Sequence, residues 1–113
     1  MAWEFQPDRP IYSQLIDQIE LRIISGFYPP DSRLPSVREL AAEAAVNPNT
    51  MQKALAELEQ SELIYSQRTS GRFITPDTEL IRKKREQIAS DEVGKLFGTM
   101  RQLGYRCLLY TSF

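Results

Sequence analysis

The sequence predicts a mostly α-helical fold that contains one small β-hairpin and continues into a helical tail. Three observations lead to this prediction. Apolar residues recur at three- and four-residue spacing over the first half of the chain, two short β-type runs flank Gly71, and helical spacing returns after Pro76. We therefore expect two parts, a compact domain at residues 1–76 and a tail at residues 77–113.

The first helix is predicted at residues 10–26. Pro10 suits the first helical turn because it lacks a backbone donor, and Gly26 suits the position just past a helix end because it tolerates positive φ. The apolar residues between them share one helix face: Tyr12, Leu15, Ile16, Ile19, Ile23 and Ile24. This face is expected to pack into the core and needs no further function.

Two shorter helices follow. Ser36 and Glu39 form a capping-box pattern, in which each side chain satisfies an unpaired backbone N–H of the other residue. After a break at residues 45–46, Asn47 and Pro48 supply a cap and a first-turn proline for the third helix. The buried face of that helix is predicted to contain Met51, Ala54, Leu55 and Leu58. Two short helices separated by so few residues form a helix-turn-helix unit.

The hairpin is predicted to pair residues 63–67 with residues 72–75. Both runs are rich in residues that favour strands, and the connection at residues 68–71 ends in Gly71, which supplies the backbone conformation that a tight turn needs. A helix-turn-helix unit followed by such a hairpin is a winged helix-turn-helix domain. The sequence therefore predicts this fold for residues 1–76.

The tail is predicted to be one long helix from about Thr78 toward Leu103. Its apolar stripe, which includes Leu80, cannot be buried within so short a tail, so we expect the segment to pair two copies of the chain. The predicted dimerisation residues are Ile81, Ile88, Val93, Leu96, Phe97, Met100 and Leu103. The basic run at residues 82–85 could approach phosphates, although such a run more often forms a solvated helix face.

Composition excludes several classes of protein. No run of about 18 apolar residues occurs, and the N-terminus lacks a secretory signal, so we expect a cytoplasmic protein without a membrane span. There is no histidine and Cys107 is the one cysteine, so neither a disulfide nor a usual metal site is expected. Without a nucleophile–base pair or a phosphate loop, the sequence predicts no enzyme and no cofactor.

The overall charge argues against a nucleic-acid partner. The net charge is −1, and residues 1–76 carry seven Lys and Arg against ten Asp and Glu. Residues 77–113 carry seven against five. Because proteins that bind nucleic acids usually have a basic patch or a high pI, any such function must depend on the local placement of a few side chains.

Several motifs in this order resemble the signature of the GntR family of bacterial transcription regulators. Residues 34–41 read LPSVRELA, residues 46–55 read VNPNTMQKAL, and residues 71–74 read GRFI. The third helix and the short tail resemble the YtrA-like subfamily, whose members carry a two-helix dimerisation tail. Three features depart from the family pattern: Ala45 replaces the usual turn glycine, the hairpin keeps one glycine, and residues 106–113 lack the acidic residues of a second tail helix.

The resemblance implies that the third helix enters the major groove of double-stranded DNA. Asn47, Asn49 and Thr50 would hold phosphates at its N-terminal turn. Gln52 can pair bidentately with adenine, and Arg38 on the second helix with guanine. The predicted DNA-binding residues are Arg38, Asn47, Pro48, Asn49, Thr50, Gln52, Lys53, Arg68, Gly71 and Arg72. The hairpin members of this set would meet the minor groove or the flanking backbone.

The predicted function is sequence-specific transcription regulation by a homodimer, because two modules related by symmetry read half-sites about one helical turn apart on a palindrome. The resemblance implies repression of a nearby operon, often one for a membrane transporter. Repression or activation depends on promoter position, and the sequence identifies neither the operator nor a small-molecule effector.

Some of the predicted DNA-binding residues are also compatible with roles that involve no DNA. Arg38 could form an ion pair with Glu39 or Glu43, and Gln52 and Lys53 are common at exposed helical positions. A winged helix can bind protein or RNA instead of DNA, because a fold does not fix a function. The polar residues at 47–53 favour DNA, and the missing catalytic residues argue against an enzyme.

Overall fold

The computed structural model describes residues 1–105, and within them it contains four helices and one antiparallel hairpin in the predicted order. The elements are α1 (Ile11–Ile24), α2 (Val37–Ala44), α3 (Pro48–Gln60), β1 (Ile64–Gln67), β2 (Gly71–Ile74) and α4 (Thr78–Gln102). The predicted fold class is confirmed. Residues 106–113, where a second tail helix would follow, lie outside the described residues.

The N-terminal compact unit spans Met1–Ile81 and contains α1, α2, α3 and the hairpin. Its core is built from the apolar faces of the three helices and closed by the hairpin. The largest fully buried side chains are Leu15, Ile19, Ile23, Leu34, Leu40, Met51, Leu55, Leu58, Leu63, Ile64 and Ile74. The helix stripes identified in the sequence are thus the core, and they hold α2 and α3 in a fixed relation.

Both helix starts are capped by the predicted residues, and of the capping box at α2 the structure contains the bond to the Ser36 side chain. The Ser36 side chain accepts a hydrogen bond from the Glu39 backbone N–H, at 3.2 Å, where α2 begins. The Asn47 side chain accepts one from the Asn49 backbone N–H, at 2.8 Å, and Pro48 occupies the first turn of α3. Each cap satisfies a backbone donor that the helix cannot pair internally, so these residues determine where both helices begin.

The turn between α2 and α3 keeps its form although Ala45 replaces glycine. Ala45 is left-handed, with φ 56° and ψ 46°. The Val46 N–H donates to the Ala41 carbonyl at 3.0 Å, and the Ala45 N–H donates to the Ala42 carbonyl at 3.3 Å. This is the Schellman pattern of a helix end, in which the left-handed residue is most often glycine. The chain therefore accepts a strained alanine where the turn requires a positive φ.

The hairpin pairs Ile64 with Ile74 and Gln67 with Gly71 in register. A third segment extends it along β2: the Leu34 N–H donates to the Arg72 carbonyl, and the Ile74 N–H donates to the Ser32 carbonyl, both at 2.8 Å. This pairing brings the residues just before α2 alongside the hairpin. The sequence did not indicate it, because the two segments are far apart in the chain.

The N-terminal residues are held along α1 by polar side chains. Gln14 and Gln18 each exchange two hydrogen bonds with the backbone, Gln14 with residue 6 and Gln18 with residue 4. The Arg22 guanidinium lies 3.8 Å from the centre of the Trp3 ring and donates to the Met1 carbonyl. These contacts cover the outer side of α1 with the first residues of the chain.

The N-terminal unit extends into the first turn of α4. Leu80 packs against the core and Ile81 is only 4% exposed. The prediction of Ile81 as a dimerisation residue therefore needs correction, because its side chain is used in the core of its own unit. The second unit begins at Arg82 and is described to residue 105 as the remainder of α4 and the turn that follows it.

Candidate nucleic-acid interface

The N-terminal part of α3 presents a polar surface. Because Met51, Ala54 and Leu55 face the core, helical geometry places Asn49, Gln52 and Lys53 on the outer side, where all three are exposed. Thr50 is half-buried, and Asn47 and Pro48 are exposed at the helix start. All the residues predicted for this helix therefore lie together on one accessible end of α3.

The start of α3 suits an anion. The unpaired N–H groups of a first turn and the helix dipole give this end a partial positive charge that attracts phosphate. The Asn47 side chain is already used as the cap of Asn49, so it shapes the helix start. Asn49 and Thr50 extend the set of hydrogen-bonding groups beside that cap.

Arg38 lies exposed on α2, one residue after the helix begins. Within residues 1–105 its side chain forms no ion pair with Glu39 or Glu43, so an ion-pair role for Arg38 receives no support. Its guanidinium keeps the fork of donors that matches the guanine edge in a major groove. The structure thus leaves Arg38 accessible on the first helix of the helix-turn-helix unit.

The wing, meaning β1, β2 and residues 68–70, forms a groove with the start of α2. This wing groove has a volume of about 470 Å³. It is lined by Arg33, Leu34, Pro35, Ser36, Val37, Ser66, Gln67, Arg68, Thr69, Gly71 and Arg72. Three arginines and two serines among these residues make the groove basic and rich in hydrogen-bond donors, as a phosphate backbone or a narrow minor groove requires.

Arg33 is a member of this groove that sequence reasoning missed. A Cβ built on Gly71 would lie 3.5 Å from both Nε and Nη2 of Arg33, so the guanidinium packs directly on the glycine backbone. Gly71 also has φ 98°, which favours glycine independently. The one signal in the sequence was a basic residue just before the α2 cap, and only the pairing of residues 32–34 with β2 places it in the groove.

Arg72 differs from the other predicted wing residues because it has an acidic partner. Its Nε donates to Glu59 Oε1 at 2.8 Å, and the two side chains are 19% and 29% exposed. Ser66 Oγ donates to the same oxygen. Partial burial alone raises the pKa of Glu59, but the hydrogen bonds from Ser66 and Arg72 and the Arg72 charge outweigh it, so the pKa lies below 4.5.

The basic residues of residues 1–76 are concentrated on these elements. Five of the seven lie on α2, α3, the wing or the segment that pairs with it: Arg33, Arg38, Lys53, Arg68 and Arg72. The same elements carry four glutamates, so their net charge is +1, whereas residues 1–76 as a whole carry −3. Local placement supplies the cations that the composition did not suggest.

The predicted dimerisation residues of the second unit are mostly exposed. Leu96 is 58% exposed, Leu103 67% and Phe97 38%, whereas Ile88 and Met100 are half-buried. Val93 is also exposed. In the basic run, Arg82 pairs with Glu86 one turn later at 2.6 Å, as expected of a solvated helix face.

An exposed polar helix start, a supporting helix held behind it by the core, and a basic wing define a winged helix-turn-helix DNA-binding domain. Residues 11–74 match the family model described as bacterial regulatory proteins of the gntR family. Because this match covers more than half of the 113 residues, the chain belongs to the GntR family. It is a DNA-binding transcriptional regulator and not an enzyme.

Known proteins agree with this assignment. The transcriptional repressor YtrA of Bacillus subtilis is 44% identical over 66 residues, which cover 58% of this chain and about half (51%) of YtrA. This similarity supports the YtrA-like resemblance. A GntR family regulator from Listeria monocytogenes has a TM-score of 0.89 and 36% identity, covering 96% of this chain and 95% of that one.

A structure with DNA is also similar. The DNA-binding domain of AraR, solved in complex with an operator, has a TM-score of 0.59 and 29% identity and covers 66% of this chain and 99% of that one. Separately, none of the helices in residues 1–105 combines the length and the apolar character needed to cross a membrane.

Proposed function

We propose that this chain is a cytoplasmic transcriptional repressor that binds a palindromic operator as a homodimer. The observation that carries the proposal is the polar N-terminal end of α3 beside the basic wing groove. A helix of this kind fits the major groove, and the wing then lies over the adjacent backbone or minor groove. The name of YtrA as a transcriptional repressor supports repression as the direction of regulation.

The proposed roles follow from position. Asn47, Asn49 and Thr50 hold phosphates at the start of α3, which fixes the register of the protein on the duplex without reading its sequence. Pro48 has no N–H to donate, and it shapes the first turn that faces the backbone. Gln52, Lys53 and Arg38 read base edges, because an amide matches adenine, and an ammonium or guanidinium group matches guanine. Arg68, Gly71 and Arg72 bring the wing to the flanking DNA.

Dimerisation is part of the proposed mechanism. A single winged helix-turn-helix buries a modest area on DNA and binds loosely, whereas two copies gain affinity by binding two half-sites together. The exposed apolar residues Val93, Leu96, Phe97 and Leu103 supply a surface that a second copy would cover. The resemblance to the YtrA-like subfamily extends the proposal to control of a transporter operon near the gene.

The test measures both the oligomeric state of the chain and its affinity for DNA. Light scattering on the purified chain is expected to give the mass of a dimer. Titration against duplex DNA from around its own gene at two salt concentrations is expected to show sequence-selective affinity that falls steeply with salt, because phosphate contacts release counterions. A scrambled duplex and a double-stranded RNA of equal length are the controls. A monomer, or equal affinity for all three nucleic acids, would contradict the proposal.

A further inference from the structure

One carboxylate connects α3 to both strands of the wing. Glu59 lies in the last turn of α3, and its Oε1 accepts hydrogen bonds from Ser66 on β1 and from Arg72 on β2. Ser66 and Arg72 are direct cross-strand partners in the hairpin. Glu59 therefore links the cross-strand pair Ser66 and Arg72 and attaches this pair to the end of α3.

This connection is more sheltered than a surface ion pair. Arg72 and Glu59 are 19% and 29% exposed, whereas the side chains of the Arg9–Asp17 pair are 47% and 64% exposed. Exposed pairs contribute little because water screens them, but a partly buried, charge-assisted hydrogen bond fixes geometry. The relation between α3 and the wing is thus set by a specific contact in addition to core packing.

We propose that Glu59 is a positioning residue for DNA binding, which orients Arg72 and the wing relative to α3. With Nε held by Glu59, the guanidinium plane of Arg72 is fixed while its side chain lines the wing groove beside Arg33 and Arg68. A preoriented side chain loses less conformational freedom when it meets a phosphate. This inference rests on the DNA-binding function proposed above and names a residue that does not itself touch DNA.

The direction in which DNA affinity changes distinguishes a positioning role of Glu59 from a simple effect of its charge. Removing a negative charge from a DNA-binding protein should strengthen binding. Glu57 is exposed on the same helix and forms no ion pair within residues 1–105, so Glu57→Gln is expected to leave affinity unchanged or raise it. Glu59→Gln makes the same charge change but is expected to lower operator affinity by about three- to tenfold. Equal effects of the two substitutions would overturn the proposal.

A double-mutant cycle tests whether Glu59 acts through Arg72. In an Arg72→Gln background, Glu59→Gln is expected to cause no further loss of affinity, because the group that it orients is gone. Hydroxyl-radical footprints should show weaker protection of the flanking DNA by Glu59→Gln, with the central protection by α3 retained. Additive losses, or a uniform weakening of the whole footprint, would mean that Glu59 has only a general structural role.

Amide hydrogen exchange, measured without DNA, tests the positioning role of Glu59 independently of the proposed DNA-binding function. Amide hydrogen exchange is expected to become faster in residues 64–74 of Glu59→Gln than in Glu57→Gln, with α1 unchanged in both. Unchanged exchange in the wing would overturn the positioning role even if affinity fell. If the wild-type chain binds no DNA selectively, the proposed function fails, whereas the exchange still shows whether Glu59 holds the wing.

Discussion

Arg38 is the exposed α2 side chain on which base recognition should depend most. Replacing it by alanine is expected to weaken specific operator binding by about 1–3 kcal/mol, because a bidentate contact to guanine is lost. Folding should be unaffected, since Arg38 has no ion-pair partner within residues 1–105 and lies outside the core. Titration against the operator and against a scrambled duplex measures the change in specificity.

Arg9→Ala is the matched control for Arg38. It removes the same charge from an exposed arginine outside the proposed interface, and it breaks only a surface ion pair with Asp17. Its effect on affinity should be small and equal for both duplexes. A loss as large as that of Arg38→Ala would mean that net charge, and not base reading, governs the affinity.

Ala45 offers a separate prediction at the residue scale. A left-handed alanine costs about 1–2 kcal/mol, part of which glycine regains because it has no Cβ, although glycine loses more chain entropy on folding. Ala45→Gly is therefore expected to raise the free energy of unfolding by about 0.5–1 kcal/mol, measured by urea denaturation. Ala42→Gly, at an exposed helical position, should instead lower it by about 1 kcal/mol. Equal signs would show that backbone strain at residue 45 is unimportant.

At the scale of elements, acid should weaken the attachment of the wing to α3. Because the pKa of Glu59 is depressed in the folded state, its contribution to stability is fully present above the ordinary value of 4.5 and is lost as the pH falls through the lowered pKa. The stability difference between wild type and Glu59→Gln should therefore be largest near neutral pH and shrink as the pH falls below 4.5 and through the lowered pKa. Urea denaturation across this range checks it, and a constant difference would contradict it.

The helices and the hairpin could be predicted from the sequence, but the contacts between them could not. Caps at Ser36 and Asn47, helix periodicity and Gly71 are local signals, so the elements and their order were predicted. The pairing of residues 32–34 with β2 joins segments that are distant in the chain, and the contact of Glu59 with Arg72 spans 13 residues and depends on how the hairpin packs against the end of α3. No local pattern encodes such contacts, which is why Arg33 and Glu59 were absent from the predicted site.

At the scale of the whole molecule, the positions of the charged side chains matter more for DNA binding than the net charge. A domain with more acidic than basic residues still places five cations on α2, α3 and the wing region. The field near the DNA depends on these nearby charges, because salt screens those farther away than about 10 Å. The net charge of the sequence therefore gave no sign of these cations, whereas the motif around residues 34–55 predicted the interface that is proposed here.

In the proposed dimer, the apolar residues of α4 hold two such interfaces together. Leu96→Glu places a charge on the exposed stripe and is expected to convert the proposed dimer into a monomer, with a large loss of operator affinity, because the gain from binding two half-sites disappears. The N-terminal unit should remain folded, since Leu96 lies outside Met1–Ile81. Light scattering and operator titration measure both effects.

Gln102→Glu adds the same charge at an exposed polar position of α4 outside the predicted set, and it should leave the dimer intact. If both variants stay dimeric, the two copies pair through another surface. If Leu96→Glu becomes monomeric yet binds the operator as tightly as the wild type, one winged helix-turn-helix is sufficient for binding, and the palindromic mechanism is wrong.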